Sequence, residues 1–397
     1  MLKSFATQIL SVTLSAVIVV QPVMAQVAVD NQAAANNQAS LDAARNGVPI
    51  VNIANPNGAG VSHNKFKDFN VGVEGLILNN SRSVGQSQLG GVIAGNANLT
   101  SGSARLILNE VTGASRSNLL GYQEIFGQSA EYVLANPNGI TCNGCGFINT
   151  PRATFSTGLP QFDSSGDFLG VDVDTGDILI DGAGLNAANV PYFDIISRTA
   201  KINADLHARD LSVITGRNTV NYASREAVAK SDIPEKPSIS IDSSLLGGMY
   251  ANRIRLVGTE QGVGVKVAGD LAASSGELTI SADGKISVNN LTSAQNISVA
   301  SAAESVTVTG TVQASQTTQI KADNAIEVQS EASVSGDHLQ IEAARLENQG
   351  KIKGGQQTNI ETSHIENTGT IIGNGGVSVV SDTLNNLGSG LIKSDAD

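Results

Sequence analysis

Along the last third of the chain, apolar and polar residues alternate in runs of three to five, and each run stops at a turn rich in Gly, Asn or Ser. Leu346-Glu-Asn-Gln-Gly350, Ile365-Glu-Asn-Thr-Gly369 and Leu384-Asn-Asn-Leu-Gly388 recur every 19 residues. Leu339-Gln-Ile341, Thr358-Asn-Ile360 and Val377-Ser-Val379 keep the same step. Upstream, Leu278, Ile297 and Thr318 open one series and Ile286, Val306 and Ile326 another, with steps drifting between 19 and 21 residues. A period of two is that of a strand, and a unit of about 20 residues with short turns is that of a parallel β-helix. Two strands per repeat are expected. Helical repeats are disfavoured by the β-branched content, and a leucine-rich repeat would need a longer Leu scaffold than this one.

A single coil of this kind cannot bury its apolar side, so coils are stable only in stacks, with Asn and Ser forming ladders in the turns. An open first edge would invite pairing with another chain, so an N-terminal cap is expected, with residues 26 to about 110 as the candidate.

Composition marks a boundary near residue 250. Every Phe, Tyr, Pro, Cys and Met lies at or before Tyr250, and the last proline is Pro237. Beyond it, uninterrupted strand ladders are favoured, because proline would remove a backbone donor. Three segments are expected: 1–25, a more individual domain at 26–250, and repeats at 251–397. Residues 227–237 read as an exposed loop or insertion.

At the start, Lys3, an apolar run from Ile9 to Val20 and Val23-Met24-Ala25 have the order of a signal peptide cleaved after Ala25. The mature chain is therefore expected to leave the cytoplasm. The formal net charge of −12, without a Lys/Arg cluster, argues against nucleic acid or an anionic membrane as a partner.

Chemistry-bearing motifs are absent. There is no phosphate loop, no His-Glu-x-x-His and no nucleophile elbow, and no cofactor is called for. Cys142 and Cys145 are the only cysteines, and His63, His207, His338 and His364 are scattered, so a small local disulfide is favoured over a metal or redox site. Asp172, Asp174, Asp177 and Asp181 gather around Gly176 and read as a solvated turn. His63 reads as a buried, hydrogen-bonded histidine.

Four stretches carry a resemblance: Asn46 to Asn80; Gly90-Gly-Val-Ile-Ala-Gly-Asn-Ala-Asn-Leu99 with Ala104-Arg-Leu-Ile-Leu-Asn-Glu-Val-Thr112; Ala135 to Thr150; and Gly247 to Glu260. Together they closely resemble the secretion domain of filamentous-haemagglutinin-type exoproteins, the secreted members of two-partner secretion systems. The resemblance implies an all-β, right-handed, single-stranded parallel β-helix with an N-terminal cap and extra-helical β-hairpins. It further implies recognition by the periplasmic polypeptide-transport-associated domains of an outer-membrane β-barrel transporter. Export to the cell surface or medium would follow, and the protein would serve adhesion, haemagglutination or delivery of a distal effector. Receptors on host or neighbouring cells would be further partners.

Two family motifs can be placed. One is intact at Asn136, Pro137, Asn138, Gly139 and Ile140; the other falls at Asn96, Asn98 and Leu99, with Ala97 where the family has proline. Both read as turns, since proline presets φ, asparagine bonds its own backbone and glycine takes positive φ. A role in transporter recognition stands beside that reading. The family's proteins are far longer, so the chain reads as a truncated product or fragment. An enzyme on the same scaffold, such as one processing polysaccharides, would need charged groups converging on one face, and the repeats offer Ser, Thr, Asn and Gln instead.

Overall fold

The computed structural model describes residues 27–394, so the signal peptide and the Ala25 cleavage site lie outside the described residues. Thirty-five strands join in one continuous hydrogen-bonded sheet that winds as a parallel β-helix with three faces, called A, B and C. Each face is a column of strands in register. On face B, Ile107, Tyr132, Ala153, Phe193, Leu211 and Ile254 stand one above the next. On face C the column runs Ile140, Ile178, Ala200, Ile241, Val265 and Ile286. On face A it runs Leu185, Leu206, Met249, Leu271, Leu291 and Val312. All three columns point inward and form one core along the axis. The strict period of two holds the register, because a slip of one residue would turn every apolar side chain to solvent.

The series read from the repeats lie on two of these faces. Leu278, Ile297 and Thr318 pair on face B, and Ile286, Val306 and Ile326 on face C. The expectation of two strands per repeat is corrected to three. The missed face A strands, such as those of Leu271, Leu291 and Val312, follow face C after only two or three residues, and Gly264–Ala273 serves both faces as a single strand. In the turns, Asn348 donates to Asn367 and Asn367 to Asn386, each at 2.7 Å, which forms an amide ladder along the axis.

The cap is smaller than expected. Val27–Val29 pairs antiparallel with Val61–Phe69 and closes face B; Ser40–Ala43 pairs antiparallel with Pro49–Asn52 and closes face A. Pro49–Asn52 is itself already stacked in parallel on Leu76–Asn80, so coils begin near residue 49 rather than 110. Reversed strands block the free edge against another chain.

Two extra-helical pieces lie over the solenoid. The hairpin Gly85–Ser87 and Gly91–Ile93 covers face A through Ile93, which packs with Ile77 and Phe126. A four-stranded antiparallel sheet, Leu159–Phe162, Phe168–Val173, Asn218–Asn221 and Ala227–Ala229, covers face B. Its Phe168, Val171 and Val220 pack on Leu106, Val133 and Ile214. This double cover explains why Leu76-Ile-Leu78 and Leu106-Ile-Leu108 are unbroken apolar triplets, whereas the uncovered repeats alternate. Residues 227–237, expected to be an exposed loop or insertion, contribute the edge strand Ala227–Ala229 to the extra-helical sheet before the chain returns to the solenoid.

Inside the domain, Tyr132, Phe147, Phe155 and Phe193 form an aromatic column with ring centroids 5.4–6.5 Å apart. Burial pushes the Tyr132 phenol well above its ordinary pKa, and its hydroxyl is bonded to Gln123.

Candidate functional site

The intact asparagine motif forms the corner between Glu131–Ala135 on face B and Ile140–Cys142 on face C. Chain direction changes there within four residues, so backbone groups that would be orphaned must find partners. Asn136 supplies them. Fully buried, its side-chain amide donates to the Ser115 carbonyl at 3.0 Å and to Ser117 Oγ at 2.9 Å. Its Oδ1 accepts the Asn138 backbone N–H at 2.9 Å, and its own carbonyl accepts from Gly139 N–H at 3.0 Å. Asn138 is exposed, and its amide reaches the Gly113 carbonyl of the preceding coil at 2.8 Å. Pro137 sits half-buried at the apex, and Ile140 drops into the core.

Gly139 is required by conformation and by space. Its φ is +102°, and an added Cβ would stand 2.5 Å from an Arg116 guanidinium nitrogen and 2.7 Å from the Asp177 carbonyl. That arginine is a corner residue which the motif reading missed. It binds Thr141 Oγ1 at 2.6 Å, the Ile140 carbonyl at 3.0 Å and both Asp177 carboxylate oxygens at 2.8 Å. Hydrogen bonding from Arg116 holds the Asp177 carboxyl below its usual range, against the opposing effect of burial. Only the register of the coils brings residues 61 positions apart together, so no local spacing signals the pair.

The second motif repeats the design at another corner, between the face A hairpin and Leu106–Val111 on face B. Asn96 is buried, donates to the Ile53 and Asn79 carbonyls at 2.9 Å, and accepts from Asn98 N–H at 2.9 Å. Asn98 donates to the Asn52 carbonyl at 3.1 Å, and Leu99 enters the core. Ala97 stands exposed where proline is expected, and the same asparagine turn forms around it. The two motifs thus occupy different corners and do not converge on one site. Sequence reasoning also missed Asn80, whose buried amide closes the same backbone accounting by bonding Ala104 N–H at 2.7 Å and the Ala104 carbonyl at 2.9 Å. Its signal was a pair of amides, Asn79-Asn80, directly after an apolar triplet.

Cys142 and Cys145 are buried and joined by a disulfide at the next corner, between faces C and A. His63 is largely buried and lies 2.6 Å from Glu110, with Lys65 at 3.3 Å. Burial pushes the Glu110 carboxyl up, but His63 and Lys65 outweigh it and leave it below its usual value. The acidic cluster is not simply a solvated turn. Asp172 pairs with Lys230, Asp174 with Arg217 at 2.9 Å and Lys230 at 3.0 Å, and Asp177 with Arg116. The Asp172 and Asp174 pairs join strands of the extra-helical sheet and the Asp177 pair joins coils of the solenoid, so these three carboxylates have partners that lie far away in the chain. Among the described residues, no group of three or more His, Cys, Asp or Glu is placed to hold a metal ion.

What these corners can do chemically is bind backbone and set turns. Comparison with known proteins gives that geometry its context. A family model described as "TPS secretion domain" matches residues 25–288. The 16S rRNA endonuclease CdiA of Enterobacter cloacae is 45% identical over 339 residues, 85% of this chain and 10% of that protein. The tRNA nuclease CdiA of Yersinia mollaretii is 49% identical over 286 residues, 71% of this chain and 10% of that protein. The chain therefore spans about a tenth of the length of these relatives. The crystal structure of the filamentous hemagglutinin secretion domain matches with a TM-score of 0.62 and 33% identity, covering 76% of this chain and 99% of that one. Proteins built on this domain are secreted or displayed at the cell surface through an outer-membrane transporter. A three-faced solenoid with capped edges and asparagine-locked corners, matched over two thirds of its length by the family model, places this chain in the TPS secretion-domain family of filamentous-haemagglutinin-type exoproteins.

Proposed function

We propose that residues 26–250 carry the signal by which an outer-membrane β-barrel partner engages this chain, and that the asparagine corners are read before they fold. The supporting observation is the burial of Asn136: once the corner closes, its amide is consumed by Ser115, Ser117 and Asn138 and is out of reach. A transporter can use Asn136 only on an unfolded chain, whereas exposed Asn138 stays accessible in either state. In this reading the chain enters the periplasm through the general secretion route, loses its leader after Ala25, and meets the transporter's polypeptide-transport-associated domains while extended. Outside the cell, each coil that stacks buries apolar surface and disfavours return, which makes export directional.

The CdiA relatives bear nuclease names, and by analogy the secreted protein carries a distal effector toward neighbouring cells, with the present region as its export and stalk portion. Co-expression with the barrel partner tests the motif. Asn136→Ala and Asn138→Ala should each reduce release into the medium, and Asn138→Ala should do so while leaving the urea midpoint of the purified protein nearly unchanged. Unchanged release for both would leave these residues a purely structural role.

A further inference from the structure

Where the solenoid is uncovered, its outward-facing positions are mostly polar or charged, but one row on face A carries aromatic rings. In register on successive strands stand Tyr122, Gly146, Asn186, His207 and Tyr250. At the spacing of neighbouring strands this row extends about 19 Å along the axis. It lies beside the surface covered by the Gly85–Ile93 hairpin and is itself uncovered. Tyr122, Asn186 and His207 are exposed, and Tyr250 is half-buried.

The rings are held in place. Tyr122 lies across Gly146, where an added Cβ would stand 2.6 Å from the ring, and its hydroxyl accepts from the Asn186 amide at 3.2 Å. Tyr250 lies against Gly248, where a Cβ would come within 2.5 Å. His207 stacks on Tyr250 with centroids 5.3 Å apart and planes 19° from parallel. Glycine at both positions leaves the rings room to lie down, so the row is a preformed platform.

We propose that this row binds a neutral polysaccharide. Two physical points choose that occupant. An extended peptide recognises a sheet by adding to a free edge, whereas here the backbone groups of the inner strands are spent on the ladder, leaving only ring faces, a phenol, an amide and an imidazole. Ring faces that pack against sugar C–H groups, with polar groups beside them for hydroxyls, suit pyranose chemistry. Aromatic rings stand at both ends of the row, four strand steps apart, with the amide and the imidazole between them, so a chain of several sugar units rather than a single one would span the platform. Acidic polymers are disfavoured, because Asp205 and Asp270 flank the row. Together with burial, the larger cause, these carboxylates raise the Tyr250 phenol above its ordinary pKa. Arg209, two residues from His207, is turned onto the Ala188 carbonyl at 3.0 Å.

The test is calorimetric titration of the purified full chain with three neutral hexasaccharides (β-1,4-glucan, β-1,4-linked N-acetylglucosamine and α-1,4-glucan) and with an acidic one, polygalacturonate. At least one neutral probe should bind. Tyr250→Ala and Tyr122→Ala should each weaken it about tenfold, in line with loss of an aromatic contact. Tyr122→Phe, which keeps the ring and loses the hydroxyl, should stay near wild type, and unchanged melting curves would show that the variants fold. Absence of binding by all neutral probes would overturn the proposal. So would preference for polygalacturonate, or affinity indifferent to both alanine variants. Loss of binding to the transporter's periplasmic domains in these variants, with no glycan binding in the wild type, would assign the row to a protein partner instead.

Discussion

Asn136 illustrates how one side chain shapes a corner. Its fully buried side-chain amide satisfies three partners, so Asn136→Ala should cost about 1–3 kcal/mol of stability. Asn138→Ala, at an exposed site, should cost about 0.5 kcal/mol. Urea unfolding of the two variants measures the difference, and equal losses would contradict the burial argument. Gly139→Ala should be as damaging as Asn136→Ala, about 1–3 kcal/mol, because strained backbone and the Arg116 contact act together. The turn roles of Asn136 and Asn138 were legible in the sequence, since residue type and spacing alone imply them. Arg116 was not, because its partner Asp177 lies 61 residues away and only the coil register unites them.

At the scale of elements, Arg225 ties the extra-helical sheet to the solenoid through Asp194 and Asp210, while the Asp174 pairs join strands within the sheet and the Asp177 pair joins coils of the solenoid. Asp174 and Asp177 are held below their ordinary pKa, Asp174 chiefly by Lys230 and Asp177 chiefly by Arg116. A carboxylate whose folded pKa is depressed contributes stability that is present above its unfolded value, about 3.9, and is lost as pH falls through the lower folded value. The melting temperature should therefore fall below about pH 4. Arg116→Met should lower it at neutral pH and flatten that acid limb; parallel curves would remove the ion pair from the account. The disulfide is a different matter. Its loop is so short that chain-entropy stabilisation is small, and reducing Cys142–Cys145 should shift the melting temperature by no more than a few degrees. A large drop would show that the corner depends on it. Hairpins outside the helix followed from the family resemblance, but their positions did not: Leu106-Ile-Leu108 reads equally as a strand buried in one thick core and as one roofed by a separate sheet.

For the whole molecule, the regular part was the most readable. Repeats of 19 to 21 residues with strict alternation reveal stacked coils, because each coil repeats one solution to the same burial problem. The third face escaped notice because only a few residues separate its strands from those of face C, and the cap was overestimated because the short strands Val27–Val29 and Ser40–Ala43 carry no repeat that marks where the coils begin. Past Tyr250 the composition changes while the ladder continues unbroken, and the family match itself runs on to residue 288. The composition step thus coincides with the loss of proline and aromatic side chains, not with a break in the solenoid. The account's central claim is that export information resides in the N-terminal coils and that the later ones only prolong the stack. Its most direct test places three chains behind the same leader, with and without the barrel partner: the full chain, a version ending at Val288, and the coils from Asn289 onward alone. The account predicts partner-dependent release of the first two and none of the third. Release of the isolated later coils, or release of any chain without the partner, would contradict it.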